Sequence, residues 1–283
     1  MMKKESIGDT GGSGPVIVMI HGWGQTGRAF DPLISLLKAD FRIITVDLAG
    51  HGTAKDEPGP YSFNRYVADI AGVARRLALD KFHLLGWSMG GTITAKYCLE
   101  KAGPLPESLI LLSATPRFVA KTRNLGVGQH PAAVVKMKRM IEADPEAGLR
   151  GFIQLFFESG EEIDEGRREE IENALIPPGF PPSGQALADT LKEYSSTDLT
   201  GSSGPPGSSG PPGSSGPPAS YDGRILIVYG SQDKICPPGG QKLWSDMFVK
   251  AKTVCIESAG HAPHLTRRHE VAGLITRFIL EAV

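Results

Sequence analysis

The chain has 283 residues, 40% of them hydrophobic, and a formal net charge of −1 at pH 7. That length supports one sizeable core, or a core domain carrying a smaller insertion. The near-neutral balance excludes a general electrostatic drive toward nucleic acid or an anionic membrane, and the scattered Cys98, Cys236 and Cys255 form neither a disulfide framework nor a CxxC metal site.

Lys3 and Lys4 are followed by no apolar segment, and no uninterrupted run approaches the roughly 18 apolar residues of a membrane helix. The expectation is a soluble, cytoplasmic monomer. In chain order, the β-branched run PVIVMI (15–20) reads as a buried strand that stops at the glycine-rich HGWGQTG. FDPLISLLKAD has helical spacing, and FRIITVD is a second buried strand opening into the turn-rich LAGHGTAKDEPGPYS. Residues 64–79 repeat at helical period, with Ser62 as N-cap.

KFHLLGW is the third strand, GTITAKYCLEKAG a helix closed by Gly103, and ESLILLSA the fourth strand. Strands alternating with helices imply an α/β fold, a mostly parallel sheet with helices on both faces. From Pro116 the alternation stops. Four helical segments at 131–143, 145–158, 164–175 and 185–194 suggest an inserted helical cap. ILIVYG (225–230) and KTVCIES (252–258) resume the sheet, and VAGLITRFILEAV is an amphipathic terminal helix.

The expected domains are therefore a core in two parts, 1–115 and 219–283, a cap at 116–200, and a linker at 201–218. That linker is three copies of GSSGPP, which has no side chain able to bury much area. It reads as a mobile or semi-extended connection, natural or engineered.

The chemistry starts at GWSMGG. Gly86, Ser88 and Gly90 satisfy GxSxG between a strand and a helix, the context in which a serine is held in a strained turn with its hydroxyl raised above the sheet. Such a nucleophile needs a base beyond a late strand. His261 lies after the last strand and before the last helix; His264 and His269 fall at or in that helix, His21 and His51 in early loops, His83 in a strand and His130 in the cap.

An acid must orient that imidazole and fix its tautomer. Ligand-facing residues lie beyond the carboxyl ends of parallel strands, which selects Asp233 in YGSQD over Asp222 at the opposite end of the same strand. Two backbone donors for an oxyanion are expected at Met89, just after the serine, and at Trp23 in HGWG. The order Ser88, Asp233, His261 is that of the α/β-hydrolase arrangement.

MIHGWG, DLAGHG, GWSMGG, YGSQD and GHAPH, in this order, resemble the α/β-hydrolase superfamily across nearly the whole chain apart from the repeat. HGWG with GWSMGG and GHAPH is similar to the pimeloyl-acyl-carrier-protein methyl ester esterases of biotin synthesis. The resemblance implies ester hydrolysis through an acyl-enzyme, without cofactor or metal. It also implies docking of an acidic carrier protein on basic cap residues, for which Lys136, Lys138, Arg139, Arg150, Arg167 and Arg168 are the candidates. The alternatives are a general short-chain esterase or lactonase, another cofactor-free hydrolase of haloperoxidase or carbon–carbon type, and a non-catalytic binding protein of the same shape.

Overall fold

The computed structural model of the chain describes residues 6–121, 125–157, 161, 163–179, 181–200 and 221–281. The GSSGPP repeat, expected as a linker, lies outside the described residues.

Seven strands form one sheet: β1 (Ile7–Asp9), β2 (Val16–Ile20), β3 (Arg42–Val46), β4 (His83–Trp87), β5 (Ser108–Leu112), β6 (Arg224–Gly230) and β7 (Lys252–Ile256). Their spatial order is β1-β3-β2-β4-β5-β6-β7, all parallel except β1, which pairs antiparallel with β3 at the edge. The β1 strand was not anticipated, because IGD offers no apolar run; the Asp9 carboxylate, bridged to Arg42 on β3 at 2.6 Å, holds it in place.

Between the strands run α1 (Asp31–Leu37), α2 (Phe63–Arg76), α3 (Met89–Leu99) and α8 (Pro238–Met247). Ser62 caps α2 by accepting from the Arg65 N–H at 3.3 Å, and Phe63, Tyr66, Val67, Ile70, Val73 and Ala74 line its buried face at helical spacing. The α3 helix ends at Leu99, short of Gly103. Its exit is made by Lys101, which takes the left-handed conformation (φ 51°) that the sequence suggested for glycine. The chain closes with α9 (Pro263–Thr266) and α10 (Arg268–Leu280). No described helix is long and apolar enough to cross a membrane.

Strands β4 and β5 are buried at every residue, as the uninterrupted apolar runs require of central parallel strands. Each fully buried leucine or isoleucine there, such as Leu84, Leu85, Leu109 and Ile110, contributes about 1.5–3 kcal/mol of burial. This rigid centre sets the positions of the loops at its carboxyl edge.

Between β5 and β6 the chain forms α4 (Pro131–Ala143), α5 (Pro145–Phe157), α6 (Glu165–Leu175) and α7 (Gly184–Ser196). Proline at the first turn starts α4 and α5 without sacrificing a hydrogen bond. Asp164 and Ser183 cap α6 and α7 by accepting from Arg167 N–H and Ala186 N–H. Helix α4 packs on both α5 and α7, burying Leu149, Ile153, Leu187 and Leu191.

Candidate active site

Register explains why distant residues meet. Ile20 at the end of β2 pairs with Gly86 near the end of β4, so the HGWG loop and the Ser88 turn leave the sheet side by side. The chain turns from β3 back across β2 to β4, making this the topological switch point where open α/β sheets form their crevice. On the other side, Gly230 pairs with Ile256, and the loops carrying Asp233 and His261 emerge as neighbours.

Ser88 has φ 55° and ψ −122°, a strained backbone for a residue with a side chain, and it opens α3. The turn is tight enough to need glycine at its flanks. A Cβ on Gly90 would run into the carbonyl oxygens of Ile20 and His21, and one on Gly86 into the Gly90 carbonyl. These contacts press the helix start against the HGWG loop.

The three residues selected from the sequence form one buried chain of hydrogen bonds. The His261 Nδ1–H donates to Asp233 Oδ2 at 2.8 Å and lies 3.0 Å from Oδ1, while the Ser88 hydroxyl lies 3.0 Å from His261 Nε2. A carboxylate only accepts, so Nδ1 carries the proton and Nε2 is left to accept from Ser88. Asp233 is itself fixed, because its Oδ1 accepts from the N–H groups of Ile235 and Cys236, both at 2.8 Å. The side chains of His261 and Asp233 are 1% and 0% exposed, so water does not compete for these bonds. Asp222 stands at the far end of β6 and takes no part.

Met89 is the first residue of α3, where an N–H has no acceptor within its helix. The Gly22 backbone is so near that an added Cβ would lie 3.3 Å from Ser88 Cβ, which brings Trp23 to the rim of the same space. Trp23 is anchored by its indole N–H, which donates to the Leu187 carbonyl of α7 at 3.1 Å. His21 pins the loop from below: its Nε2 accepts from Leu48 N–H at 3.0 Å, leaving Nδ1–H to donate to Gly22 O at 2.8 Å. Burial lowers the His21 pKa, outweighing the pull of Asp47, and keeps the ring neutral for these roles.

Several supporting residues left no signal in the spacing. Trp87, the variable position of GWS, donates its indole N–H to the His261 carbonyl at 3.1 Å and so ties the base-bearing loop to β4. Phe156 of α5 meets the His261 ring edge-on at 5.0 Å, covering the imidazole. Helix α8, absent from the sequence expectation, sends Gln241 and Trp244 to the Ala114 carbonyl at 2.9 and 3.0 Å, holding the loop after β5. A PPGGQKLWSDM stretch hides this helix, since proline and glycine punctuate its first turn.

The space above Ser88 is a narrow pocket walled by Trp23, Phe118, Met137, Phe152, Leu191 and Ile235, with Tyr194 among them. A wider groove between α6 and the start of α10, lined by Asp164, Arg167, Glu170 and Arg268, contains none of Ser88, Asp233 and His261. Among the described residues no group of three or more His, Cys, Asp and Glu side chains is arranged to hold a metal ion.

Of the basic residues considered for carrier docking, Lys138, Arg150, Arg167 and Arg168 are paired with Glu142, Glu146, Glu170 and Glu172 on their own helices. Arg167 also donates to the Leu265 carbonyl. Lys136 and Arg139 of α4 are exposed beside Val135 and Met140, two large apolar side chains that also face solvent.

The chain is 29% identical over 273 residues to the pimeloyl-acyl-carrier-protein methyl ester esterase of Stenotrophomonas maltophilia (strain R551-3), covering 95% of this chain and 94% of that protein. It is 28% identical over 278 residues to the enzyme of the same name from Xanthomonas campestris pv. campestris (strain B100), covering 96% and 97%. In fold it is similar to a bromoperoxidase from Bacillus anthracis, with a TM-score of 0.80 at 24% identity over 96% of this chain and 94% of that one. An esterase from Exiguobacterium antarcticum gives a TM-score of 0.79 at 24% identity, covering 96% and 94%. The model of the alpha/beta hydrolase family matches residues 17–274, and the chain belongs to that family.

Proposed function

We propose that the protein is a serine carboxylesterase in which Ser88 is the nucleophile, His261 the general base and acid, and Asp233 the residue that orients His261. The observation that carries this reading is the continuous buried relay from Asp233 through His261 to Ser88, with both links at 3.0 Å or less. As Ser88 Oγ attacks the ester carbonyl, His261 Nε2 takes its proton and Asp233 stabilises the resulting imidazolium. The N–H groups of Met89 and Trp23 receive the oxyanion, each worth on the order of a hundredfold in rate. The proton then passes from Nε2 to the departing alkoxy oxygen, and the alcohol leaves. Water, deprotonated by the same nitrogen, attacks the acyl-enzyme and frees the acid.

Helices α4 to α7 act in this reading as a cap that supplies the apolar walls of the pocket. The substrate named for the relatives, the methyl ester of pimeloyl-acyl-carrier protein, suits an apolar acyl channel, with methanol as the alcohol released. Lys136 and Arg139, exposed next to Val135 and Met140, are the surface offered to the carrier. Cytoplasmic location accords with that substrate class. A second reading, a short-chain esterase, is favoured by the narrowness of the space over Ser88.

The test compares kcat/KM on methyl pimeloyl-carrier protein, free methyl pimelate and a short aryl ester. Preference for the carrier-bound ester that is lost in a Lys136→Glu, Arg139→Glu double variant supports the first reading. Equal use of all three substrates favours the second.

A further inference from the structure

The loop that carries His261 is held on two sides. On the sheet side it lies so close to the end of β6 that a Cβ on Gly230 would run into the carbonyl oxygens of Ala259 and Gly260. The peptide joining Ala259 to Gly260 is then fixed at both of its polar atoms. Its carbonyl accepts from the Gln232 N–H, next to Asp233, at 2.9 Å. Its N–H donates at 3.2 Å to Oε2 of Glu161, which comes from the stretch between α5 and α6.

Glu161 is itself well held. Its side chain is 2% exposed, and its other oxygen forms an ion pair with the Arg267 guanidinium at 3.1 Å. The carboxylate therefore touches the chain before and after His261. Neighbouring contacts bind the same two segments: Arg167 of α6 donates to the Leu265 carbonyl, and Glu170 pairs with Arg268 at 2.7 Å. A carboxylate accepting from a backbone N–H makes a charge-assisted bond, roughly twice as strong as a neutral one.

The other restraints on the base act on other atoms. Asp233 holds the imidazole Nδ1–H, and the Trp87 indole holds the His261 carbonyl. Neither fixes the peptide by which the chain enters Gly260 and His261. That unit is planar, so tying down its oxygen and its N–H together sets its plane and the direction in which the chain reaches the histidine. Gly260 has more backbone freedom than any other residue type, and with its N–H released the histidine would swing on that joint.

We propose that Glu161 is a positioning residue for His261: by accepting from the Gly260 N–H it sets the peptide plane that keeps Nε2 at 3.0 Å from the Ser88 hydroxyl. This rests on the serine esterase reading above. Glu161 lines the groove between α6 and α10 and not the pocket over Ser88, so replacing it leaves the surface that meets the substrate unchanged. His261 serves acylation and deacylation alike. A displaced imidazole slows both steps, so kcat falls while KM stays.

The test compares Glu161→Ala with Glu161→Gln on p-nitrophenyl butyrate, with Glu170→Gln as a control that removes a different ion pair to α10. A second readout is the low-field proton resonance of the His261 Nδ1–H, which records how firmly the imidazole is held and needs no substrate. Since a misplacement of about 1 Å can cost about a hundredfold, Glu161→Ala is expected to lower kcat about twentyfold, keep KM within about twofold and broaden the resonance. Glu161→Gln, whose amide oxygen still reaches the Gly260 N–H, keeps kcat within about threefold and the resonance sharp, as does the control. If Glu161→Ala does not fold, Glu161→Asp, which retains the charge and falls a methylene short, takes its place with the same expectation. A kcat within about twofold of the unaltered protein, an equal loss in Glu161→Gln or in the control, or an unchanged resonance overturns the proposal. If the unaltered protein hydrolyses no ester, the esterase reading is lost, and the resonance alone decides the role of Glu161.

Discussion

Replacing Asp233 by asparagine has an outcome that can be worked from the hydrogen bonds. The Oδ1 atom accepts from the N–H groups of Ile235 and Cys236, both at 2.8 Å, so the asparagine oxygen must occupy that position. Its NH2 group then replaces Oδ2, the atom 2.8 Å from His261 Nδ1. Two donors cannot face each other there. The imidazole answers by shifting its proton to Nε2, which now points an N–H at Ser88 Oγ and is unable to take the serine proton. The site keeps its shape and loses its base. By analogy with the same change in a serine protease triad, kcat falls by about 10⁴, or about 5 kcal/mol of barrier. The assay is steady-state hydrolysis of a p-nitrophenyl ester, with thermal unfolding to show that the variant remains folded and Asp222→Asn as a control at the other end of β6. A loss of less than tenfold in Asp233→Asn, or a comparable loss in the control, refutes the tautomer mechanism.

Gly90→Ala forces a methyl group onto the carbonyl oxygens of Ile20 and His21; it is expected to lower stability by about 2–3 kcal/mol and to cut turnover, read by thermal unfolding and ester hydrolysis. Stability also depends on four buried histidines whose pKa values are depressed: burial, helped by the neighbouring His261, brings His264 to about 3, burial and His21 bring His51 to about 3, and burial lowers His21 and His83. The unfolded chain takes up these protons first, so their contribution is complete above the ordinary histidine pKa of about 6.5 and is lost as pH falls from there toward 3. Each such histidine steepens the fall by about 1.4 kcal/mol per pH unit, measured as the urea midpoint between pH 7.5 and 5. His264→Phe removes one share of that slope, since neither ring nitrogen makes a well-formed hydrogen bond and the ring already packs between Trp87 and Phe30. An unchanged slope in that variant would mean that His264 is not a proton-linked group.

What the sequence disclosed and what it hid have separate physical causes. The central strands were legible because burial on both faces demands uninterrupted apolar runs, as in VIVMI and LILL, and because glycines must flank a strained turn such as that at Ser88. Asp233 and His261 were selected by a rule of parallel sheets, that function lies beyond the carboxyl ends, and they are found hydrogen-bonded to each other and to Ser88. β1 escaped because an edge strand of three residues is held by an ion pair and backbone bonds rather than by apolar side chains. Tyr194, Phe156 and Trp87 were invisible as site residues because an aromatic at helical or strand spacing looks the same whether it fills a core or faces a pocket. Only the three-dimensional placement of α5 and α7 over the end of β4 separates the two cases.

The central claim is that Ser88 is the nucleophile of this site. A fluorophosphonate, which reacts with serines activated by a neighbouring base, is incubated with the intact protein, and the adduct is counted by mass and located by peptide mapping. The expected result is one adduct per chain, on Ser88, with ester turnover lost in proportion to labelling and no adduct in Ser88→Ala. Labelling at another residue, or turnover that survives full modification of Ser88, would contradict the account.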